Sequence, residues 1–414
     1  MEETHVVTAF LREGTDVLLF RRSEDVGSYT GQWGAVAGHA EGRPDEQVRV
    51  EIREETGLDP ETDVALVRSG ESFAVEDADR GTRWVVHPYL FDCETRDITP
   101  NYETTDYEWV PPTAIRERDT VPDLWTSYDR VRPSVETVRT DDTHGSAYVS
   151  VRACEVLRDD AAAGADYDAL LETARALLDA RESMAAVRNR VNRVVHDAEE
   201  ASAAAILTSA SATIDAALAA DDGAAAAAAV ELRNASVLTL SRSGTAFDAI
   251  VGADPGHVVV AESRTAREGV DTAERLAAAG LDVTLTTDAA VATLVESVDA
   301  VLVGVDTALR DGSVVNKVGT RSAALAAAEA DVPVYAVCAK DKIAPDADPD
   351  DPELADAPGE ELYDGDADIA VENPLFDLTP ADLVTGLVTE DGVFCGDDVE
   401  AAAAELRGLA DWQA

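Results

Sequence analysis

The sequence predicts an α/β chain in two parts, on three observations. Short β-like runs surround one well-marked helix up to about residue 130, and a block of helical spacing follows. The last third then repeats a compact apolar run followed by a helix-like stretch, the pattern of parallel βα units buried on both faces. Helices first and alternating strands later is the order of a helical cap leading into a doubly wound sheet.

In the first part, residues 5–11 and 16–20 read as strands, and residues 27–42 are rich in turn formers. A helix is expected over Pro44–Thr56, ended by Gly57 in the manner of a C-cap. Residues 84–91 and 107–110 are strand-like, with Pro111-Pro112 as a stop. Residues 1–135 therefore form one domain, and 136–147, with the polar run 139–146, a linker. The helical cap spans 148–235. Within it residues 170–195 have helical spacing, and 198–230 are Ala-rich with an interruption at Asp221-Asp222-Gly223; the polyalanine run 224–229 is plain helix. From 236 to 414 the apolar runs Ser236–Leu240, His257–Ala261, Val283–Thr286, 300–305 and 332–337 build a Rossmann-like sheet.

Composition narrows the function. Asp and Glu number 83 against 33 Lys and Arg, a formal charge of −50 at pH 7, and the acid is spread along the whole chain. Such a surface repels a phosphate backbone, which excludes direct, sequence-independent nucleic-acid binding. With 46% hydrophobic residues the chain can bury cores, so the charge is a solvated coat on a folded protein. Lysine occurs only at 317, 340 and 342, Arg supplying the other cations, and Ala is heavily used; this resembles proteins of salt-accumulating halophiles and predicts a salt-rich cytoplasm. Cys93, Cys154, Cys338 and Cys395 lack metal or disulfide-framework spacing and read as buried thiols. No apolar run is expected to reach the roughly 18 residues of a membrane span, and no leader opens the chain, so no membrane association is expected.

On the expected first helix, Glu51, Glu54 and Glu55 stand at i, i+3 and i+4, three carboxylates within one turn that repel one another unless a cation lies between them. Mg²⁺, or Mn²⁺, takes oxygen ligands and bridges to substrate phosphates, and hydrolysis of a phosphoanhydride needs that neutralisation and an activated water. Gly31-Gln32-Trp33-Gly34, Gly38-His39-Ala40-Glu41, the run from Glu51 to Leu58 and Glu108-Trp109-Val110 together resemble the Nudix hydrolase family over roughly residues 4–130. That resemblance implies an α/β/α sandwich, a nucleoside-diphosphate-linked substrate, and Glu51, Glu54 and Glu55 as metal ligands and catalytic carboxylates. Two positions depart from the family pattern. The loop before the helix is shortened, leaving Glu41 or nothing for its first Glu, and Val50 stands where an Arg orients a catalytic carboxylate.

In the second part, Asp306 follows an expected strand, and Asn316-Lys317 precede a helix started by Gly319. Ligands of open α/β sheets bind at strand carboxyl ends, and a Lys beside a helix N-terminus partners phosphate. Asp306 could equally cap a helix. Leu238 to Thr245, Glu262-Ser263-Arg264, Asp288-Ala289-Ala290, Asn316-Lys317 and Asn373 to Asp377 resemble the initiation factor 2B alpha/beta/delta-subunit family, whose superfamily includes methylthioribose-1-phosphate and ribose-1,5-bisphosphate isomerases. Ser183-Met184-Ala185 and Asn189 fit its helical cap. The resemblance implies Asp306 as an isomerase acid or base, Asn316 and Lys317 in the substrate site, a homodimer through this domain, and Arg242, Ser243, Gly244, Arg264 and Lys317 around a phosphate. The Cys that pairs with the Asp is replaced by Ser241, and a hydroxyl is a far weaker acid than a thiol of pKa about 8.5. Three readings stand: a metal-dependent hydrolase tethered to a sugar-phosphate-binding domain, a metabolite-sensing or translation-regulating protein, and a sugar-phosphate isomerase in which Ser241 does the work of the thiol. All take a nucleotide-linked or sugar-phosphate small molecule.

Overall fold

A computed structural model describes residues 2–264, 266–350 and 354–413, and the chain divides into two compact units between Pro133 and Ser134. In the first unit the elements run β1 (Glu2–Glu13), β2 (Asp16–Arg22), β3 (Trp33–Gly34), β4 (Val36–His39), α1 (Pro44–Thr56), β5 (Val64–Ser69), β6 (Phe73–Asp77), β7 (Thr82–Cys93), β8 (Thr104–Val110) and α2 (Leu124–Asp129). The central path of the sheet is β3-β2-β1-β7-β5, with β4 also paired to β1, β6 to β7 and β8 to β2. Strand β1 runs parallel to β7 from Glu2 opposite Thr82 to Arg12 opposite Asp92. Alternation along β1 divides its side chains between two cores: Val7, Ala9 and Leu11 pack with Val48 and Ile52 of α1, and Phe10 packs with Leu124 and Tyr128 of α2. The unit is thus an α/β/α sandwich. Strands β5 and β6 lie outside the sequence expectation: β6 carries no compact apolar run, and the apolar residues 64–67 that open β5 are mostly solvent-facing, with Ala65, Leu66 and Val67 exposed.

The second unit opens with α3 (Val135–Thr140), α4 (Ser146–Ala163), α5 (Tyr167–Ala180), α6 (Ala185–His196) and α7 (Ala203–Glu231). The segment 136–147 differs from the linker expected there. Ser134 and Thr137 cap α3 reciprocally, the Thr137 amide donating to Ser134 Oγ at 3.3 Å and the Ser134 amide to Thr137 Oγ1 at 2.9 Å, and Val138 is buried in the helical core. The continuous helical spacing over 170–195 is split, with Arg181 to Met184 between α5 and α6. The interruption expected at Asp221-Asp222-Gly223 is absent: α7 is continuous for 29 residues from its N-cap Ser202, because Ala on both sides outweighs the helix cost of one Gly, about 1 kcal/mol. A β-carbon at Gly223 would approach Glu390 Cβ to 3.0 Å, so the glycine also admits a close neighbour. Against the expectation of no such run, α7 is long and apolar enough to cross a membrane by length and composition. Its Ile206, Ile214, Ala224 and Ala228 are instead buried in the cores of this unit.

Beyond α7 come β9 (Ser236–Leu240), α8 (Gly244–Ala253), β10 (His257–Ala261), α9 (Glu268–Ala278), β11 (Val283–Thr286), α10 (Val291–Leu294), β12 (Ala300–Gly304), β13 (Thr307–Leu309), β14 (Val314–Lys317), α11 (Thr320–Glu329), β15 (Val334–Val337), β16 (Ile343–Ala344), β17 (Phe376–Thr379), β18 (Gly386–Thr389), β19 (Gly392–Phe394) and α12 (Asp397–Gly408). The main sheet has the order β11-β10-β9-β12-β15-β18-β19 and is parallel except for the last pair. Crossing from β9 to β12 reverses the strand order, which makes the carboxyl ends of those strands the topological switch point where such sheets bind ligands. A small second sheet, β16-β13-β14-β17, was not expected. It makes the Asn316-Lys317 pair, expected only as the lead-in to a helix, the end of a buried strand.

Candidate functional sites

Helix α1 presents its acids unevenly. Its buried stripe is Val48, Ile52, Glu55 and Thr56, and the backbone ends in a left-handed Gly57, φ 77°, whose amide donates to the Arg53 carbonyl. Glu55 lies inside that stripe at 7% exposure and Glu51 on its margin, whereas Glu54, one residue round, is exposed. The three glutamates expected to act together are therefore two inward and one outward. The Ala37 amide donates to Glu55 Oε1 at 3.3 Å, and Gln47 Nε2 donates to Glu51 Oε1 at 2.9 Å. Gly38 on β4 is required by that approach, since a β-carbon there would sit 2.0 Å from Glu51 Cδ.

Burial raises Glu51 from the usual carboxylate range, helped by Glu54 and Glu103. Burial likewise pushes Glu55 up to about 8, and the charges of Glu51 and Glu103 add to the rise while the Ala37 amide and Arg22 offset part of it. Glu103 was invisible in the sequence reading: it lies on the loop before β8, tied to the end of β2 by the Ser23 amide donating to its carbonyl at 2.7 Å, with no periodic pattern to mark it. Among the described residues no three His, Cys, Asp or Glu side chains are gathered closely enough to hold an ion as they stand. The donor set nonetheless suits a hard cation: all oxygen, mutually repelling, and cradled against a glycine backbone. Glu41, at φ 48°, is exposed and lines a separate cavity of about 610 Å³ with His5, His39 and His87.

In the second unit the strand ends converge as the switch point requires. Ser241, just past β9, is buried with φ 64°. Its amide donates to Ser263 Oγ at 2.6 Å, its carbonyl accepts from Thr272 Oγ1 at 2.7 Å, and its hydroxyl donates to Glu268 Oε2 at 2.7 Å. Lys317 Nζ, at the end of β14, is 3.3 Å from the same Glu268 oxygen and lies 5.4 Å from the Phe376 ring centre. Asp306, following β12, donates its amide to the Val315 carbonyl at 3.1 Å. Burial raises its carboxyl, Lys342 and Lys317 pull it back, and Glu268 raises it further. Lys342 in turn donates to the Val305 carbonyl at 2.7 Å.

The other expected contacts are distributed differently. Ser243 caps α8, accepting from the Ala246 amide at 3.3 Å, and Gly244 is the helix's first residue. Gly304 must be glycine, because a β-carbon would meet Ser243 Oγ at 2.5 Å. Arg242 is exposed and donates to the Thr143 carbonyl at 3.0 Å. Arg264 is exposed on a turn held by Asp288, which accepts the Ser263 and Arg264 amides at 2.8 and 2.6 Å. Asn316 is buried and donates to Thr320 Oγ1 at 2.9 Å, fixing the start of α11. Of the set, Ser241, Asp306 and Lys317 share one electrostatic neighbourhood, and its fourth member, Glu268, was not anticipated: it is separated from Ser241 by 27 residues and belongs to no spacing pattern. Ser183 and Asn189 border a cavity of about 300 Å³ with Thr307 and Val315.

Residues 142–396 match the Initiation factor 2 subunit family, and residues 2–131 match the NUDIX domain. The chain belongs to the Initiation factor 2 subunit family and carries a NUDIX domain ahead of it. Within that family, a ribose 1,5-bisphosphate isomerase of Haloferax volcanii is 32% identical over 307 residues, 68% of this chain and 94% of the relative. The ribose 1,5-bisphosphate isomerase of Archaeoglobus fulgidus is 29% identical over 302 residues, 68% of this chain and 95% of the relative. The crystal structure of the Pyrococcus horikoshii OT3 translation initiation factor eIF-2B superposes with a TM-score of 0.55 at 24% identity, covering 63% of this chain and 94% of that one, and shares the fold.

Proposed function

We propose that the NUDIX domain hydrolyses a phosphoanhydride in a nucleoside-diphosphate-linked or related phosphorylated substrate with the aid of a divalent cation, Mg²⁺ or Mn²⁺, and that the second domain binds a sugar phosphate. The observation that carries the first half is the meeting of Glu51, Glu55 and Glu103 in one field with Arg22 as a minor counter-charge. Glu51 and Glu55, with Glu103 and the outward Glu54 on either side, are the residues that would hold the cation. When bound, it supplies neutralisation of phosphoryl oxygens and a more acidic water. The chain's own part is to keep these acids half-desolvated and to hold Glu51 against the Gly38 backbone, so that their charge is available only to a cation or a proton.

A second reading, that the family domain isomerises a sugar phosphate such as ribose 1,5-bisphosphate, is favoured by the relatives and by Asp306, whose carboxyl is driven toward its neutral form at the switch point. The regulatory reading draws support from Val50 and from Ser241 in place of a thiol. A salt-rich cytoplasm and a homodimer through the second domain complete the proposal. The test incubates the full chain with Mg²⁺ at molar KCl and a panel of nucleoside diphosphate derivatives, following release of phosphate or monophosphate. Turnover that disappears in Glu51→Gln supports hydrolysis. Silence across the panel, with cation binding still seen by calorimetry, favours the sensor.

A further inference from the structure

The second-domain site contains a carboxylate with one oxygen occupied and one open. Ser241 Oγ and Lys317 Nζ both contact Glu268 Oε2, at 2.7 and 3.3 Å, and among the described residues Oε1 has no hydrogen-bond partner. The side chain is 22% exposed, and Lys317, at 8%, is nearly closed off. Helix α9, which Glu268 opens, is fixed in place: Gly269 lies so near β10 that a β-carbon would stand 1.9 Å from the Ala261 carbonyl oxygen. An anchored carboxylate beside a second, buried acid is the pairing used to move a proton between adjacent sugar carbons, one group taking the carbon-bound proton and the other serving oxygen. The Ser241 hydroxyl is too weak an acid for either task, and its hydrogen is already directed at Glu268.

On the isomerase reading of this domain, we infer that Glu268 is the group that takes and returns the carbon-bound proton, with Ser241 and Lys317 as positioning residues that hold Oε2 and present Oε1. The substrate on this reading is a C1-phosphorylated aldose in its ring form. Asp306 gives its proton to the ring oxygen as the ring C1–O bond breaks. The C2–H bond yields its electrons to a new C1=C2 double bond and its proton to Glu268. The 2-hydroxyl then returns a proton to Asp306 as C2=O forms, and C1 takes the proton held on Glu268. Nothing is oxidised or reduced overall, and no co-reactant is consumed.

The test follows conversion of ribose 1,5-bisphosphate by the full chain in molar KCl, using NMR of the ketose product, with calorimetric binding and melting temperature measured in the same buffer. Glu268→Gln is expected to slow turnover at least about 100-fold, with bisphosphate binding kept. Ser241→Ala, which frees one contact to Oε2 but leaves Oε1, is expected to cost only about tenfold. Glu268→Asp keeps the charge beside Lys317 and withdraws the carboxylate by one methylene; native-like melting with turnover reduced about tenfold supports the role should the Gln variant fail to fold. Turnover within threefold of the parent in either Glu268 variant overturns it. A parent chain that converts nothing also overturns it, and bisphosphate binding in that case leaves the sugar-phosphate-binding proposal standing.

Discussion

Glu55 makes the argument at the scale of one residue. Burial pushes its carboxyl up to about 8 in the fold from an ordinary 4.5, so between those two values the folded state holds a proton that the unfolded chain has released. The raised value means that its ionisation costs nothing below pH 4.5, costs progressively more as pH climbs toward 8, and is fully unfavourable above. Without divalent cations, Glu55→Gln is therefore expected to melt with the parent near pH 4.5 and several degrees above it at pH 8.5, on the order of 2 kcal/mol, read by calorimetry. Adding Mg²⁺ at pH 8.5 is expected to stabilise the parent and leave the variant unmoved; equal melting curves across this range would remove the case for an uncompensated carboxylate. The residue's chemistry was legible in advance, since three acids in one turn can be read from spacing alone. Which of them turns inward was not, because that depends on the stripe formed with Val48 and Ile52 and on the Gly38 backbone opposite. Glu103 and Glu268 had no sequence signal, each being brought to its site by a loop or helix start from a distant part of the chain.

At the scale of elements, legibility followed burial. Strands β9 and β10, buried along nearly all of their length, and helix α1, bracketed by Pro44 and Gly57, coincide with their expected bounds; the partly solvent-facing β11 coincides as well, on its alternation of apolar and polar residues. The small sheet β16-β13-β14-β17 escaped: its strands have two to four residues, too short for any period to show. Between these extremes lies the α9–β10 contact. Gly269 cannot acquire a side chain without pushing α9 away from the Ala261 carbonyl, and the same helix start carries Glu268. Gly269→Ala is expected to destabilise the second unit by about 1–3 kcal/mol, measured by thermal unfolding at molar KCl. On the isomerase reading it should also slow conversion of ribose 1,5-bisphosphate, because Glu268 moves away from Ser241 and Lys317. Unchanged stability would mean that β10 and α9 yield to one another more easily than a packed strand-helix joint should.

At the scale of the whole molecule, charge decides. Surface pairs such as Arg43 with Glu46, at 2.6 Å, and Arg139 with Glu136, at 2.6 Å, are exposed attractions that salt weakens, each worth little. They are outnumbered, because 83 acids share 33 Lys and Arg, an excess of 50 negative charges that repel one another. Raising salt therefore removes more repulsion than attraction. The screening length falls from about 30 Å at 0.01 M to about 3 Å at 1 M, from a range that joins many surface charges to one that separates neighbours. The melting temperature is expected to rise steeply with KCl up to about 1 M and to flatten beyond, where screening is nearly complete. Burial strengthened by excluded anions gives a different curve, continuing upward and steeper in potassium sulfate than in chloride at equal ionic strength. Melting curves in the two salts separate the causes: coincidence at matched ionic strength assigns the stabilisation to the −50 charge, and a persistent advantage for sulfate assigns it to the cores.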